Sequence, residues 1–348
     1  MRQTLPPLLE FVVLPAANLA AALGITAILF LAIGVAPGTA LGTMIEGAFG
    51  SSEGVGYTLY YATSFIFAGL AVAIPFQAGL FNIGGEGQAM VGGIPIALVC
   101  LALPGWPWWA VLPLAVAAGM LGGMAWAFVP AILQVRRGSH IVITTIMMNF
   151  IASALLTWLL ADILKAPGDP SPESVPFADS LALPVWDGTP LNVSFLLALG
   201  VAGLAWLLLN HTVWGYELRA TGRSAEAARY AAIPAGTVAI LAVCLGGACA
   251  GLVGINEMMG VLHRLVDNFT AGIGFVGIAV ALMGRNHPLG IVLASLLFGA
   301  LYQGGAELSF DHPRVTRDVV VAIDGLVILF CGALEHVLRR PLAALWAA

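Results

Sequence analysis

The sequence has very few charged residues. Of its 348 residues, 9% are charged and 60% are hydrophobic, and the mean hydropathy is +0.98. An average soluble domain is about a quarter charged and about half apolar. Such a chain has too few charges to solvate a soluble exterior, and disordered and collagen-like chains are excluded as well. The composition is that of a protein embedded in a lipid bilayer, and the net charge of −5 argues against nucleic acid as a partner.

Lysine and cysteine are also scarce. Cysteine occurs four times, always inside apolar runs and without Cys-x-x-Cys spacing, so neither a zinc site nor a redox motif is predicted. Lysine occurs once, at Lys165, which follows Asp162, Ile163 and Leu164. A P-loop needs a lysine after its glycine-rich turn to reach the phosphates of ATP. If ATP drives this protein, another chain must bind the ATP, and we expect no cofactor and no metal in this one.

Long apolar runs predict membrane-spanning helices, each of which needs about 20 mainly apolar residues. The runs are residues 10–36, 57–76, 80–103, 108–133, 141–161, 192–210, 236–257, 272–284, 288–306 and 319–336. The eighth of these runs is too short to span alone. We therefore predict an all-α, polytopic membrane protein with about ten transmembrane helices in a single domain, residues 1–348.

The basic residues predict the orientation of these helices, because cytoplasmic segments of membrane proteins are rich in Lys and Arg. With both termini in the cytoplasm, nine of the 13 basic residues lie inside and four outside. The nine are Arg2, Arg136, Arg137, Arg219, Arg223, Arg229, Arg285, Arg339 and Arg340, and the four are Lys165, Arg264, Arg314 and Arg317. Ten crossings with both termini cytoplasmic fit this distribution. An acidic, proline-rich loop at about residues 162–191 then lies outside.

Polar residues interrupt the apolar sequence near its second and third runs. Pro75 and Gly79 break the two runs with almost no polar linker, as happens where backbone is buried in protein or lines a transport pathway. Asn82, Glu86 and Gln88 follow among apolar residues. Asn82 and Glu86 share a face if this stretch is helical. An ionisable group inside a membrane segment is a functional candidate, although Glu86 is explained equally well as a helix cap that holds the break together.

Three more polar positions lie inside apolar runs: Asn149 with Thr144 and Thr145, Asn256 with Glu257, and Asp324. For each of them, hydrogen bonding or ion pairing between helices is a commoner role than contact with a ligand. The carboxylates Glu86, Glu257 and Asp324 are also the proton carriers that an ion-coupled secondary transporter would use. That class is the main alternative on the residues alone. A membrane enzyme, for which no catalytic constellation emerges, and a structural subunit without a pathway are more distant alternatives.

A cytoplasmic stretch at about residues 211–234 differs from the other loops. From Ser224 onward it predicts a short helix, with Ser224 as its cap and Pro234 as its stop. Three small side chains follow a spacing that leaves one smooth face: Ala225, Ala228 and Ala232. Three charged side chains lie three apart and can pair along a helix: Arg223, Glu226 and Arg229. The small face suits insertion into a groove of a partner protein, whereas an ordinary solvated loop explains only the arginines.

The sequence resembles the permease subunits of ABC importers of the branched-chain amino acid, simple-sugar and nucleoside group. It is most similar to the larger permease of nucleoside systems served by basic-membrane-protein lipoproteins. The resemblance lies in residues 79–88, 218–234 and 272–290, and residues 145–152 agree with it. It covers roughly residues 57–336. One departure is Ala232, where the family more often has glycine.

The resemblance implies a bacterial inner-membrane subunit of a binding-protein-dependent importer that works by alternating access. The solute that the resemblance favours is a purine or other nucleoside, and a simple sugar comes next. No covalent chemistry on the solute is expected. The implied partners are a separate ABC ATPase that binds ATP and Mg²⁺, a second and shorter permease, and a substrate-binding lipoprotein. Residues 218–234 then contain the coupling helix that docks on the ATPase.

Candidate functional residues follow from the polar positions and the resembling stretches together. For the translocation pathway and the broken helix they are Phe81, Asn82, Glu86, Gln88, Asn149, Glu257 and Phe275. For coupling to the ATPase they are Arg219, Arg223, Ala225, Glu226, Ala228 and Arg229. No residue is predicted to be catalytic or to bind a metal.

Overall fold

A computed structural model gives the fold of residues 14–165, 168, 171–312, 315, 319–320, 322–323 and 325–326. Most of these residues are helical. The α-helices named within these ranges are α1 (Leu14–Ala32), α2 (Pro37–Phe49), α3 (Ser52–Gln77), α4 (Gly85–Ala102), α5 (Trp108–Arg137), α6 (Ile141–Trp158), α7 (Ser194–His211), α8 (Val213–Arg223), α9 (Ala225–Tyr230), α10 (Ala235–Gly251), α11 (Ile273–Met283) and α12 (Pro288–Asp311). Two π-helical segments, Leu159–Ile163 and Ile255–Leu262, continue the spans of α6 and α10.

Seven helices in the described part of the chain are long and apolar enough to cross a membrane. An eighth span is present if Gly24–Ala32 and Pro37–Phe49, which are bent by 114° at a short break, count as one. Helix α11 is apolar but too short to span, as predicted. The prediction of an all-α, polytopic membrane protein is therefore confirmed. The count of about ten is not, and most of the tenth run, residues 319–336, lies outside the described residues.

The described residues fall into two compact units. One contains the residues up to Thr58 and those from Leu297 onward, and the other contains Leu59–Leu296. Both divisions fall inside continuous helices, α3 and α12. The single domain predicted over residues 1–348 stays a prediction.

The first unit contains a helix that the sequence analysis does not predict, α2. The run expected to continue to residue 36 ends at Ala32, and Gly34, with φ +77°, lies in the turn that follows. Pro37 then occupies the first helical position, where its missing N–H removes no hydrogen bond. The hydroxyl of Thr58 donates to the carbonyl of Ala48 at 3.1 Å and ties α3 to the end of α2.

In the second unit, α5 and α10 pack with their backbones in contact. The contact is made by glycines four residues apart on each helix, Gly119 and Gly123 on α5 and Gly247 and Gly251 on α10. A Cβ atom at Gly251 would overlap the carbonyl oxygen of Gly119, and Cβ atoms at Gly123 and Gly247 would overlap each other's carbonyl oxygens. Small residues allow such close approach, on which helix association in lipid depends.

The connection between α6 and α7, which includes most of the predicted outer loop, lies across the connection that precedes α11. The contacts are backbone hydrogen bonds from Ser174 to Leu265 (2.9 Å) and from Phe177 to His263 (2.7 Å), and an ion pair between Glu173 and Arg264 (2.8 Å). The two connections therefore support each other at the end of the unit where the span of α10 finishes.

Residues 211–234 form the short helices α8 and α9, and we call them the coupling segment. Thr212 caps α8 by accepting a hydrogen bond from the Gly215 N–H at 3.1 Å. Ser224 caps α9 by accepting one from the Ala227 N–H at 3.2 Å, which confirms the predicted cap. Side-chain caps of this kind satisfy backbone donors that the first helical turn leaves free.

Ala232 ends α9 in a backbone conformation that favours glycine. Its φ is +58°, in the left-handed region, where an L-residue other than glycine is destabilised by about 1–2 kcal/mol. The N–H of Ile233 donates to the carbonyl of Ala228 at 3.0 Å, as in helices that end with a left-handed residue. This geometry gives a physical reason for the glycine that the resembling family more often has here.

We expect Ala232→Gly to stabilise the protein by about 1 kcal/mol, because glycine adopts the left-handed conformation without the Cβ clash. The thermal midpoint of the purified protein in detergent should rise by a few degrees. Ala231→Gly is the matched control, because Ala231 has φ −84° and gains nothing from glycine. A midpoint lowered equally by both substitutions would contradict the explanation.

Candidate functional site

The predicted break in the membrane helices lies between α3 and α4. Helix α3 ends at Gln77, two residues after Pro75, and α4 begins at Gly85. Gly79 has φ +74° and turns the chain, which then runs without helical structure to Gly85. Asn82 therefore precedes α4, and the helical face that it would share with Glu86 does not form.

The amide side chains of Asn82 and Gln88 bond to each other in both directions. Asn82 Nδ2 donates to Gln88 Oε1 at 2.9 Å, and Gln88 Nε2 donates to Asn82 Oδ1 at 3.0 Å. Asn82 also donates to the carbonyl of Ala71 on α3 and accepts from the N–H of Gly84. Both side chains are buried. A buried polar group without a partner is costly, so this closed pair fixes the path of the break.

Helix α6 holds the break from a second side, through Asn149. Asn149 Oδ1 accepts from the N–H of Gly87 at 2.9 Å, and its Nδ2 donates to the carbonyl of Ile83 at 3.0 Å. The hydroxyl of Thr145, one turn earlier, accepts from the N–H of Ile83 at 3.4 Å. Asn149 and Thr145 thus bond to backbone groups that have no hydrogen-bond partner within a helix.

Glu86 lies in the first turn of α4 and caps the first turn of α11. Its carboxylate accepts from the hydroxyl of Thr270 at 2.5 Å and from the N–H groups of Gly272 and Gly274 at 2.9 and 2.7 Å. Only 4% of Glu86 is exposed. A negative charge at a helix N-terminus is favourable, because the free N–H groups there carry partial positive charge. Gly274 has no room for a Cβ atom against the backbone of Glu86.

Glu257 lies in the π-helical segment Ile255–Leu262 and is also buried. Its carboxylate accepts from the hydroxyl of Tyr60 at 2.5 Å and from the hydroxyl of Ser64 at 2.7 Å. Both donors lie on α3. The carboxylate therefore joins α3 to the π-helical segment, where the regular helical hydrogen bonding is already interrupted.

Asn256, beside Glu257, extends this network to α7. Its Oδ1 accepts from Asn192 Nδ2 at 3.1 Å and from the hydroxyl of Ser194 at 2.7 Å. Its Nδ2 donates to the hydroxyl oxygen of Ser64 at 2.8 Å. A single buried network thus joins α3, the π-helical segment and the start of α7.

Five members of these networks are absent from the sequence prediction: Tyr60, Ser64, Asn192, Ser194 and Thr270. Four of the five carry hydroxyl groups, which are frequent in membrane helices because they bond to nearby backbone, so they attract no attention individually. Asn192 is the first residue of its apolar run, so it does not interrupt that run. The sequence indicates these residues only indirectly. A carboxylate within a membrane segment needs donors, and these lie on other segments of the chain.

The two predicted aromatic residues have different surroundings. Phe81 is half-buried and makes an edge-on contact with Phe76, with 6.1 Å between ring centroids. Phe275 lies on α11 and is 48% exposed. Ile278 and Leu282, on the same face of α11, are also partly exposed. Helix α11 therefore has one face that the other described residues do not cover completely.

Most of the predicted coupling residues lie on the surface: Arg223, Ala225, Glu226 and Arg229. Arg219 is half-buried and its guanidinium donates to the carbonyl of Leu209 at the end of α7. Ala228 is only 3% exposed and packs in an apolar cluster with Leu218 and Ile233. The three alanines therefore do not form one exposed face. A groove of about 460 Å³ lies between α8 and α9, lined by Arg219, Arg223, Ser224 and Ala227 among others.

No group of three or more metal-ligating side chains lies close enough to hold an ion, as far as the described residues extend. The buried polar side chains of the break and of the network around Glu257 instead bond to one another or to the backbone. In the site, buried polar side chains therefore fix the break between α3 and α4 and the start of α11, all among membrane helices. Discontinuous membrane helices whose ends are fixed in this way are typical of the substrate pathways of transport proteins.

The sequence matches the family described as branched-chain amino acid transport system / permease component over residues 54–331. The chain belongs to this family. No solved structure matches the chain. The resemblance on which the sequence analysis relies is confirmed, and the chain is a transport subunit rather than an enzyme.

Three relatives are similar over most of their length. The guanosine ABC transporter permease protein NupP of Bacillus subtilis (strain 168) is 34% identical, over 90% of this chain and 92% of its own. The glucose ABC transporter permease protein TsgB13 of Haloferax volcanii is 33% identical, over 94% and 89%. The nucleoside ABC transporter permease protein NupB of Lactococcus lactis subsp. cremoris is 32% identical, over 85% of each.

Proposed function

We propose that this chain is the permease subunit of an ATP-driven, binding-protein-dependent importer for nucleosides in a bacterial inner membrane. The observation that carries the proposal is the 34% identity to a guanosine permease over nearly the whole of both chains. A second relative, 32% identical, is named as a nucleoside permease. The solute undergoes no covalent change, and alternating access moves it across the membrane.

ATP binding belongs to another subunit. Lys165, the single lysine, lies between α6 and α7 and follows no glycine-rich turn, so this chain cannot supply the phosphate-contacting lysine of a P-loop. The transporter complex therefore includes a separate ABC ATPase, which binds ATP and Mg²⁺. A second, shorter permease and a substrate-binding lipoprotein are the other expected partners. The need for ATP also separates this proposal from an ion-coupled transporter that uses Glu86, Glu257 and Asp324, of which Asp324 lies outside the described residues.

The coupling segment is the proposed docking surface for the ATPase, on the cytoplasmic side together with both termini. Support comes from the exposed Arg223 and Arg229, since basic residues concentrate on the cytoplasmic side, and from the groove between α8 and α9. Ala225 and Glu226 are exposed beside them. Ala228 contributes by packing α9 onto the body of the protein, and Arg219 by holding α8 to the end of α7.

We expect Arg229→Glu to lower recovery of the ATPase with this chain at least fivefold, because reversed charge at an interface repels groups that complement the original cation. The measurement is co-purification in mild detergent, quantified for both subunits. Arg137→Glu makes the same charge change at an exposed position at the end of α5 and should leave recovery unchanged. Normal recovery with Arg229→Glu would contradict the assigned surface.

The broken helix and α11 are the proposed core of the translocation pathway. Asn82, Gln88 and Asn149 fix the break, and Glu86 fixes the start of α11. The partly exposed face of α11 that carries Phe275 is the surface offered to the solute, and an aromatic ring suits stacking against a nucleobase. Phe81 lies at the break itself, and Glu257 joins α3 to the π-helical segment Ile255–Leu262.

The experiment that tests the proposal is affinity purification of this chain from native membranes, followed by identification of its partners and of the ligand of any lipoprotein. A P-loop ATPase, a second permease and a lipoprotein that binds guanosine are the expected result. Recovery of the chain alone would contradict the importer. A lipoprotein that binds glucose instead would favour the second candidate, a simple-sugar importer, which the 33% identity to a glucose permease supports.

A further inference from the structure

Helix α11 is held at both of its ends by residues that flank the break. At its start, the carboxylate of Glu86 accepts from the N–H groups of Gly272 and Gly274. At its end, the side chain of Gln77 donates through Nε2 to the backbone carbonyl of Asn286 at 2.9 Å. Gln77 is the last residue of α3, so the two holding residues lie on either side of residues 78–84.

The turn that Gln77 holds is strained. Arg285 and Asn286 have φ of +55° and +54°, the left-handed conformation, which is unfavourable for a side chain such as that of arginine. Asn286 is 8% exposed, and its side-chain oxygen is buried without a hydrogen-bond partner among the residues that the structure describes. Strained backbone and an unsatisfied buried oxygen both raise the free energy of this conformation. The turn therefore depends on contacts from outside, of which the bond from Gln77 is one.

Gln77 also lies directly against the coupling segment. Gly222, in the last turn of α8, packs so closely that a Cβ atom there would overlap the carbonyl oxygen of Gln77. Ala78 is buried in one apolar cluster with Leu218 of α8 and Ala228 of α9. The backbone of Gln77 thus touches the coupling segment, while its side chain holds the end of α11.

We propose that Gln77 is a positioning residue through which the coupling segment and α11 move together. The proposal rests on the proposed docking of the ATPase at the coupling segment. A displacement of α8 moves the Gln77 backbone by direct contact, since no space separates them. Because the Gln77 side chain is bonded to the carbonyl of Asn286, the turn before α12 moves with it. The end of α11, which precedes this turn, moves as well. Glu86 keeps the other end of α11 at the break.

The test uses Gln77→Met in the assembled complex, because methionine keeps the length of the side chain and removes the donor. We expect ATPase recovery and basal ATP hydrolysis within twofold of wild type. Uptake of labelled guanosine per ATP hydrolysed should fall about fivefold, the effect of one hydrogen bond of about 1 kcal/mol. Amide exchange at residues 284–287 should become about fivefold faster, with no change in α9.

Asn210→Leu is the matched control, because the Asn210 amide donates only within its own helix, to the carbonyl of Trp206. It should change none of these quantities. Unchanged uptake per ATP and unchanged exchange with Gln77→Met would overturn the inference and leave ATPase docking intact. Loss of ATPase recovery with Gln77→Met would also overturn it, since Gln77 would then act in docking. Failure of the wild-type chain to recover an ATPase is a separate result, which rejects the proposed function.

Discussion

Replacing Glu86 with glutamine should lower solute uptake at least tenfold while the complex still assembles. The carboxylate accepts three hydrogen bonds from Thr270, Gly272 and Gly274. The glutamine amide presents N–H groups to at least one of those donors and removes the negative charge from the N-terminus of α11. Hydrogen bonds to a charged group contribute about 1.5–3 kcal/mol each, and the helix dipole adds up to about 2 kcal/mol in buried positions.

The measurement is ATP-dependent uptake of labelled guanosine, together with recovery of the ATPase as a check on assembly. Glu53→Gln is the control, because Glu53 is an exposed carboxylate in the first turn of α3. That substitution should leave uptake unchanged. Wild-type uptake by the Glu86 variant would show that α11 does not need its carboxylate cap and that Glu86 is dispensable for transport.

Gly251→Leu should prevent recovery of a folded protein. A Cβ atom at this position overlaps the Gly119 carbonyl oxygen, and both overlapping atoms belong to backbones of packed helices. Overpacking of a core by side chains alone is destabilising by about 1–3 kcal/mol, and backbone displacement of two membrane helices exceeds that range. The stability of α5 against α10 depends on this contact, because helix association in lipid gains little from the hydrophobic effect.

Monodisperse recovery after size-exclusion chromatography in detergent is the measurement for Gly251→Leu. Gly200→Leu provides a matched control, since Gly200 lies on α7 with open space where a Cβ would be placed. The control should be recovered at the wild-type level. Equal recovery of both variants would contradict the close packing of α5 and α10.

Hydropathy predicts most of the membrane helices, because each needs a long apolar run and little else. Hydropathy predicts the number of membrane-spanning helices less accurately where the chain bends. Pro37 begins a new helix, α2, that carries Glu46 and several glycines, and its composition does not resemble a spanning run. Helix α11 is recognised as too short because its run of apolar residues is itself short.

Polar residues inside apolar runs predict part of the site. Asn82, Glu86 and Glu257 stand out because each is costly in lipid and needs a partner. Their partners cannot be read from the sequence in the same way. Tyr60 and Glu257 are 197 positions apart, and only the fold brings them together.

The coupling segment shows the limit of periodicity as evidence. Its helix α9 and the Ser224 cap follow from local rules, since caps act over three residues. Local rules do not determine which side of the helix faces the body of the protein. Ala228 has the spacing of an exposed alanine face, but Leu218 and Ile233 bury it.

Uptake of labelled guanosine by proteoliposomes that contain the complete co-purified complex shows directly whether this chain serves ATP-driven nucleoside import. ATP is supplied on the side of the coupling segment, and no ion gradient is imposed. We expect concentrative uptake that requires ATP hydrolysis. Uptake that proceeds without ATP and collapses with a proton ionophore would contradict this expectation, as would a complex that hydrolyses ATP and moves no guanosine.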